Sequence, residues 1–139
     1  MAPHPECMKA VNYTQSWRMD HNGTDKKPNT SHSKNGYACD FYSDSPWFRF
    51  AGDGGSQMMN SCVPMRSCGA FMPFWTDDAM PQAVGVIKSI KVYGSYTKCR
   101  AKISDTKVMR CSTTTPNDFI YKYDDSPFDT CFYAFCGMK

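Results

Sequence analysis

The chain has 139 residues, a formal net charge of +3, eight cysteines and no leucine. That length suits one domain, and so mild a charge leaves no electrostatic footprint for nucleic acid. No apolar run is long enough for a membrane span or a secretory leader. The eight cysteines and three N-x-[ST] sequons point to a secreted protein, so the expectation is that a signal peptide has been removed or that Met1 is foreign to the natural chain.

Nine Phe, eight Tyr, three Trp and ten Met replace the missing aliphatics. Large rings bury much area per residue, so a small core is feasible. An even cysteine count in a short chain points to disulfides and an oxidising compartment. Zinc fits poorly, because no C-x2-C pair occurs and all three histidines precede the second cysteine. The expected fold is β-rich: a small antiparallel sheet or sandwich stapled by four disulfides, with a short N-terminal helical turn. One domain, 1–139, is expected, with a polar segment over 1–36 and a disulfide-held core over 37–139.

In chain order, residues 1–36 are rich in Asn, Thr, Ser, Lys and His. A short helical turn is expected around residues 11–19, anchored by Trp17. The rest reads as an exposed loop tethered by Cys7. Three N-x-[ST] sequons place candidate N-glycans at Asn12, Asn22 and Asn29. His21 and His32 lack a third ligand at a useful spacing, so no metal and no cofactor is expected.

Residues 47–51 alternate well enough for a strand, with Trp47, Arg49 and Ala51 on one face and Phe48 and Phe50 on the other. The ordinary reading of Trp47 is a core residue. The glycines at 52, 54 and 55 supply a turn that reaches positive φ. Residues 69–83 hold two prolines and no clear period, which reads as a surface loop. There Phe71, Phe74 and Trp75 precede Thr76, Asp77 and Asp78. Rings beside carboxylates are what a sugar pocket needs: a ring stacks on the C–H face of a pyranose, and acceptors take its hydroxyl protons. The alternative is rings tucked under the loop and solvated aspartates.

Residues 84–111 read as a β-meander. Strict alternation over 98–103 directs Cys99, Ala101 and Ile103 inward, with a tight turn at Ser104 and Asp105 and a returning strand over 106–111. Residues 119–123 form a further strand, and residues 131–136 the last. Cys131 and Cys136 are five apart, so they point to opposite faces and should not bond to each other.

Catalytic constellations do not emerge. The even cysteine count leaves no spare thiol, and no histidine follows residue 32 to serve a serine triad. No GxSxG, HExxH, P-loop or GxGxxG string occurs. Aspartate pairs at 77/78 and 124/125 are ordinary turn residues. A binding module is expected, not an enzyme.

The stretch from Tyr37 to Cys68 carries YACD (37–40), the Trp-Phe-Arg-Phe block (47–50), Gly52, Gly54, Gly55, Met58 and SCVP followed by Cys68. It resembles the cysteine-rich module that precedes the zona-pellucida polymerisation domain in uromodulin and in the pancreatic zymogen-granule membrane glycoprotein. Cys7, Trp17, residues 71–75 and Cys99, Cys111, Cys131 and Cys136 extend the likeness over the chain. The resemblance implies four bridges: Cys7 with Cys111, Cys39 with Cys131, Cys62 with Cys99, and Cys68 with Cys136. As a free-standing chain it also resembles small secreted marine-invertebrate lectins of the feather-star type. That likeness implies a lectin for galactose or N-acetyllactosamine-type glycans on glycoproteins or glycolipids, with a possible homodimer. Trp75, Asp77 and Asp78 are the first candidates for the sugar site, with Arg49 and Asp53 next. The other expectation is a non-catalytic extracellular glycoprotein module that presents its own N-glycans.

Overall fold

The computed structural model describes residues 4–29, 36–40, 47–115, 117–123 and 132–139. Helix α1 (Pro5–Lys9) opens the chain, with proline in its first turn and the His4 ring accepting from the Glu6 amide. Among the described residues nine strands follow: β1 (Val11–Tyr13), β2 (Phe48–Phe50), β3 (Gln57–Met58), β4 (Met72–Trp75), β5 (Ile87–Gly94), β6 (Lys102–Arg110), β7 (Phe119–Tyr123), β8 (Tyr133–Phe135) and β9 (Gly137–Met138). Seven form one sheet in the order β1-β2-β7-β6-β5-β4-β8, while β3 pairs with β9. The fold is β-rich, as expected, but mixed: β1 lies parallel to β2, and β4 parallel to β8.

The core is built from rings. Phe48 stacks on Tyr13 at 4.4 Å and lies 5.5 Å from Tyr121 and 5.0 Å from Phe135, between ring centroids. Such pairs add about 0.5–1.5 kcal/mol each beyond area burial. Ile90, Val92 and Val108 complete this layer. On the opposite face Trp47 packs with Cys7, Met109 and Ile120. The alternation expected over 47–51 is therefore present, and Trp47 is a core residue.

Three implied bridges are present: Cys7–Cys111, Cys62–Cys99 and Cys68–Cys136. Cys39 is disulfide-bonded as well; its implied partner, Cys131, lies outside the described residues, as do His32, Asp124 and Asp125.

Two expectations are corrected. The hairpin turns at residues 95–101, not at Ser104 and Asp105, and β5 pairs residues 87–94 with residues 102–109. Ile103 is 59 % exposed rather than inward. The in-and-out alternation expected over 98–103 is absent, since Cys99 and Ala101 are exposed too and residues 98–101 lie in the turn. Tertiary bonds decide this, because Cys99 is tied to Cys62 and its carbonyl receives the Trp75 indole N–H. The second correction is at residues 69–83. Residues 72–75 are strand β4, buried throughout between β5 and β8. Proline at position 73 does not prevent this, since its carbonyl still accepts from Ser95 N at 2.9 Å.

The N-terminal segment is also more integrated than a loop. Residues 11–13 join the sheet, and a 3-10 turn at Ser16–Met19 seats Trp17 and Arg18. The helical turn expected around 11–19 is thus confined to 16–19, and residues 11–13 are a strand instead. Near β9 the backbones approach so closely that only glycine fits: a Cβ on Gly137 would lie 1.9 Å from the Gly54 carbonyl oxygen.

Buried phenols give the fold an alkaline limit. Burial raises the Tyr121 pKa, and burial followed by the Asp40 charge raises that of Tyr13. Their neutral forms are favoured in the folded chain, so their contribution is complete below pH about 10, the unfolded value, and falls as pH rises beyond it. Urea midpoints should be flat from about pH 8 to about pH 10 and drop above it, apart from losses common to any base-labile bridge. A Tyr121→Phe variant that keeps the full slope would refute the assignment to Tyr121.

Candidate functional site

Where β4 ends, the chain turns outward and lines a pocket of about 240 Å³. Thr76 begins the turn. Its amide donates to the Met59 carbonyl at 3.0 Å, and its hydroxyl donates to the Lys91 carbonyl at 2.7 Å. The same hydroxyl accepts from Asp78 N at 3.2 Å, and Asp78 Oδ2 accepts from Lys91 N at 2.7 Å. These bonds hold the turn, and with it both aspartates, at the rim. Asp77 Oδ2 accepts from Arg100 Nη2 at 2.5 Å, and the guanidinium lies 4.0 Å from the Tyr93 ring centroid and 5.0 Å from that of Trp75. The Arg100 pKa is raised, chiefly by its hydrogen bond to Asp77.

Gln57 and Asn60 line the pocket as well, together with the apolar Met58 and Met80 and the buried Tyr121. The Tyr121 hydroxyl accepts from Met58 N at 3.2 Å, which leaves its own proton to donate. Two carboxylates, two amides and a phenol around a partly apolar cavity match the mixed donors and acceptors of a polyol.

The five sugar-site candidates are separated. Asp77 and Asp78 line this pocket together. Trp75 does not line it: only 3 % of its surface is exposed, and its indole N–H donates to Ser95 Oγ at 3.0 Å and to the Cys99 carbonyl at 3.1 Å. Expected as an exposed stacking platform, it instead packs with Val63 and the Cys68–Cys136 bridge. A ring at the end of a four-residue strand that is buried throughout has no open face. Arg49 is half-buried, donates to the Cys7 carbonyl and pairs with Asp118 at 3.4 Å. Asp53 sits exposed in the Gly52–Gly54 turn. Neither borders the pocket. Sequence reasoning misses Gln57, Asn60 and Tyr121; the polar ends of the QMMN string (57–60) are the available signal.

A larger, more open groove of about 390 Å³ lies beside Phe50, Ser56, Asn117 and Asp118. Asp118 is engaged by Arg49 there, as Asp77 is by Arg100, but the smaller pocket is lined by two side-chain carboxylates and two side-chain amides against one of each in the groove. His21 serves the fold: its Nε2 lies 2.7 Å from the Gly137 carbonyl. Among the described residues, no group of three acidic, histidine or cysteine side chains converges to hold a metal. None of their helices is long and apolar enough to cross a membrane.

The sequon asparagines are all exposed: Asn12 on β1, Asn22 beside Asp20, and Asn29 at φ 52°. Thr24 of the second sequon donates to the Asp20 carboxylate. The third sequon continues into residues 30 and 31, outside the described set.

Residues 48–137, from β2 to the first residue of β9, match the uromodulin-like domain family. The chain belongs to this family. Rat uromodulin is 30% identical over 103 residues, covering 73% of this chain, and mouse uromodulin is 28% identical over 102 residues. The pancreatic secretory granule membrane major glycoprotein GP2 of dog is 29% identical over 92 residues, covering 65% of this chain. The matched region spans only 15% of the rat uromodulin chain and 17% of dog GP2. The pocket lies inside the region matched to the family, whereas all three sequons and the Arg18/Asp40 pair precede it. The family match thus covers the disulfide-held sheet from β2 onward.

Proposed function

We propose that this chain is a non-catalytic extracellular glycoprotein module that presents N-glycans from its N-terminal segment. The observation that carries the reading is the placement of Asn12, Asn22 and Asn29, all exposed, on a segment stapled to a disulfide-held uromodulin-like sheet. Family membership supports an extracellular setting, as does the bridging of every described cysteine. The relative from pancreatic secretory granules is itself named a glycoprotein. Expression through a eukaryotic secretory route, followed by peptide-N-glycosidase, tests it. The mass should fall in discrete steps, each abolished by one of Asn12→Gln, Asn22→Gln or Asn29→Gln, and partner capture should be lost. A mass unchanged by the enzyme would end this reading.

The pocket favours a second reading, a lectin for galactose or N-acetyllactosamine-type glycans. Asp77, Asp78, Gln57 and Asn60 offer acceptors and donors for sugar hydroxyls. With no exposed ring among the lining residues, single-site affinity is low, and a homodimer would add avidity. In a titration with N-acetyllactosamine, Asn60→Ala should weaken binding about tenfold, the loss of roughly one hydrogen bond. Deglycosylation should leave this binding intact, which separates the two readings. Equal affinity of wild type and Asn60→Ala would remove the pocket from consideration.

A further inference from the structure

Strand β5 is twice as long as its neighbour β4, and among the described residues no strand pairs with the excess on that side. β4 pairs with β5 only at Phe74↔Gly94 and Trp75↔Tyr93. The next backbone groups along that edge, at Lys91, are taken by side chains: the Thr76 hydroxyl donates to its carbonyl and the Asp78 carboxylate accepts from its amide. This shows which way the ladder faces. Lys91 points its N–H and C=O away from β6, so by the two-residue repeat Ser89 and Ile87 do the same. Among the described residues, no backbone group pairs with Ile87 or Ser89 on that side.

The edge is also apolar and exposed. Ile87 is 50 % exposed and Val86 53 %, and Val84 just before them is 40 % exposed. Long exposed apolar edges template the pairing of further strands, and proteins guard them with lysine. The guard here is Lys88, which is exposed and donates from Nζ to the Ala79 carbonyl. A second copy of the chain that satisfied all the open groups would pair Ile87 with Ser89 of the copy and Ser89 with its Ile87. That register sets Lys88 directly opposite Lys88 of the copy, and like charges directly opposite are destabilising. The edge therefore rejects itself and accepts a strand carrying a carboxylate at that position. One step further along, Asp78 caps the same edge by accepting from the Lys91 amide.

We propose that residues 86–89, from the approach to β5 into the strand itself, are a docking edge for an extended acidic peptide segment of another protein, added as an antiparallel strand with its carboxylate opposite Lys88 and apolar residues opposite Ile87 and Val86. Main-chain bonds supply the affinity, and the alternate side chains supply the selectivity.

The test uses the whole chain with two capped peptides, acetyl-TTEVVT-amide and acetyl-TTKVVT-amide, read by amide hydrogen exchange. With free acidic peptide at about ten times its Kd, exchange at Ile87 and Ser89 should slow about tenfold, while the lysine peptide should protect far less. Lys88→Glu should reverse that preference. Ser89→Pro should abolish protection at Ile87 by both peptides, because it removes an outward donor; proline is tolerated where the N–H leaves the sheet, so the fold remains and is checked by circular dichroism. Equal protection by both peptides, no protection at Ile87 or Ser89 at millimolar peptide, or full binding by Ser89→Pro would each overturn the proposal. So would a dimer in sedimentation that Ser89→Pro dissolves, since the occupant would then be a second copy.

Discussion

Replacing Asp40 with alanine should destabilise the protein by about 3–5 kcal/mol, the usual result of stripping one partner from a buried ion pair. Arg18 is 2 % exposed and Asp40 6 %. The two form a fork: Nη1 donates to Oδ2 at 2.6 Å and Nη2 to Oδ1 at 2.8 Å. Other sides of the guanidinium are occupied too. Nε donates to Gln15 Oε1 at 2.8 Å, Nη1 also to the Phe135 carbonyl at 3.1 Å, and the cation lies 3.7 Å from the Tyr13 ring centroid and 4.4 Å from that of Trp17. Asp40 Oδ2 in turn accepts from Phe135 N at 2.7 Å. The pair therefore closes the outer edge of β8 with side chains, where an open strand would otherwise invite pairing. Without Asp40 the charge of Arg18 is stranded and the Phe135 amide loses its acceptor. Urea unfolding should show a lower midpoint at unchanged slope. The double variant Arg18→Met with Asp40→Leu should recover much of the loss, because the cost lies in an unpaired charge and not in absence of the pair. An Asp40→Ala midpoint within error of wild type would mean that Arg18 escapes to solvent, contrary to its burial.

The second large effect concerns the bridges. In the chain-entropy account a crosslink stabilises in proportion to the logarithm of the loop it closes. Cys7–Cys111 closes 104 residues, Cys68–Cys136 closes 68 and Cys62–Cys99 closes 37. Removing each by paired alanine substitution should cost about 4.7, 4.4 and 3.8 kcal/mol respectively. Packing alters that order in one place: Cys68 and Cys136 are wholly buried, so alanine there also leaves a cavity and should make this pair the most damaging. Cys62 and Cys99 are exposed, so their bridge should be the first trapped by alkylation under mild reductant. Thermal midpoints of the three double variants, together with peptide mapping of partly reduced protein, check both orders. A Cys68/Cys136 variant as stable as wild type would contradict the loop argument outright.

Much of the framework is legible in the sequence, and the reason is locality. The alternation of Trp47 to Phe50, the glycine turn at 52–55 and the strand at 119–123 depend on neighbours in the chain, and all three are found where they are read. The cysteines mark a disulfide scaffold by number alone, and the three described bridges follow the pairing that the family resemblance implies. The candidate site is only half legible. Asp77 and Asp78 draw attention as acidic residues after a ring cluster, but the ring expected to serve them is buried.

The amino-acid sequence by itself determined a β-rich, disulfide-held domain with a core of rings in place of leucine, because composition and period-2 patterning are properties of short stretches. Only the tertiary structure decided which ring faces solvent, where the β5–β6 hairpin turns, and that Arg18 lies inside. Each of these depends on contacts across long separations: Trp75 with Cys99, Cys62 with Cys99, Arg18 with Asp40 and Phe135. A lysine-and-arginine alternation cannot reveal that a bridge to Cys62 holds it in a turn, and an arginine in a polar segment cannot announce a carboxylate 22 residues away. The open edge of β5 arises in the same way, since it exists only because β4, its neighbour in space, stops at Trp75.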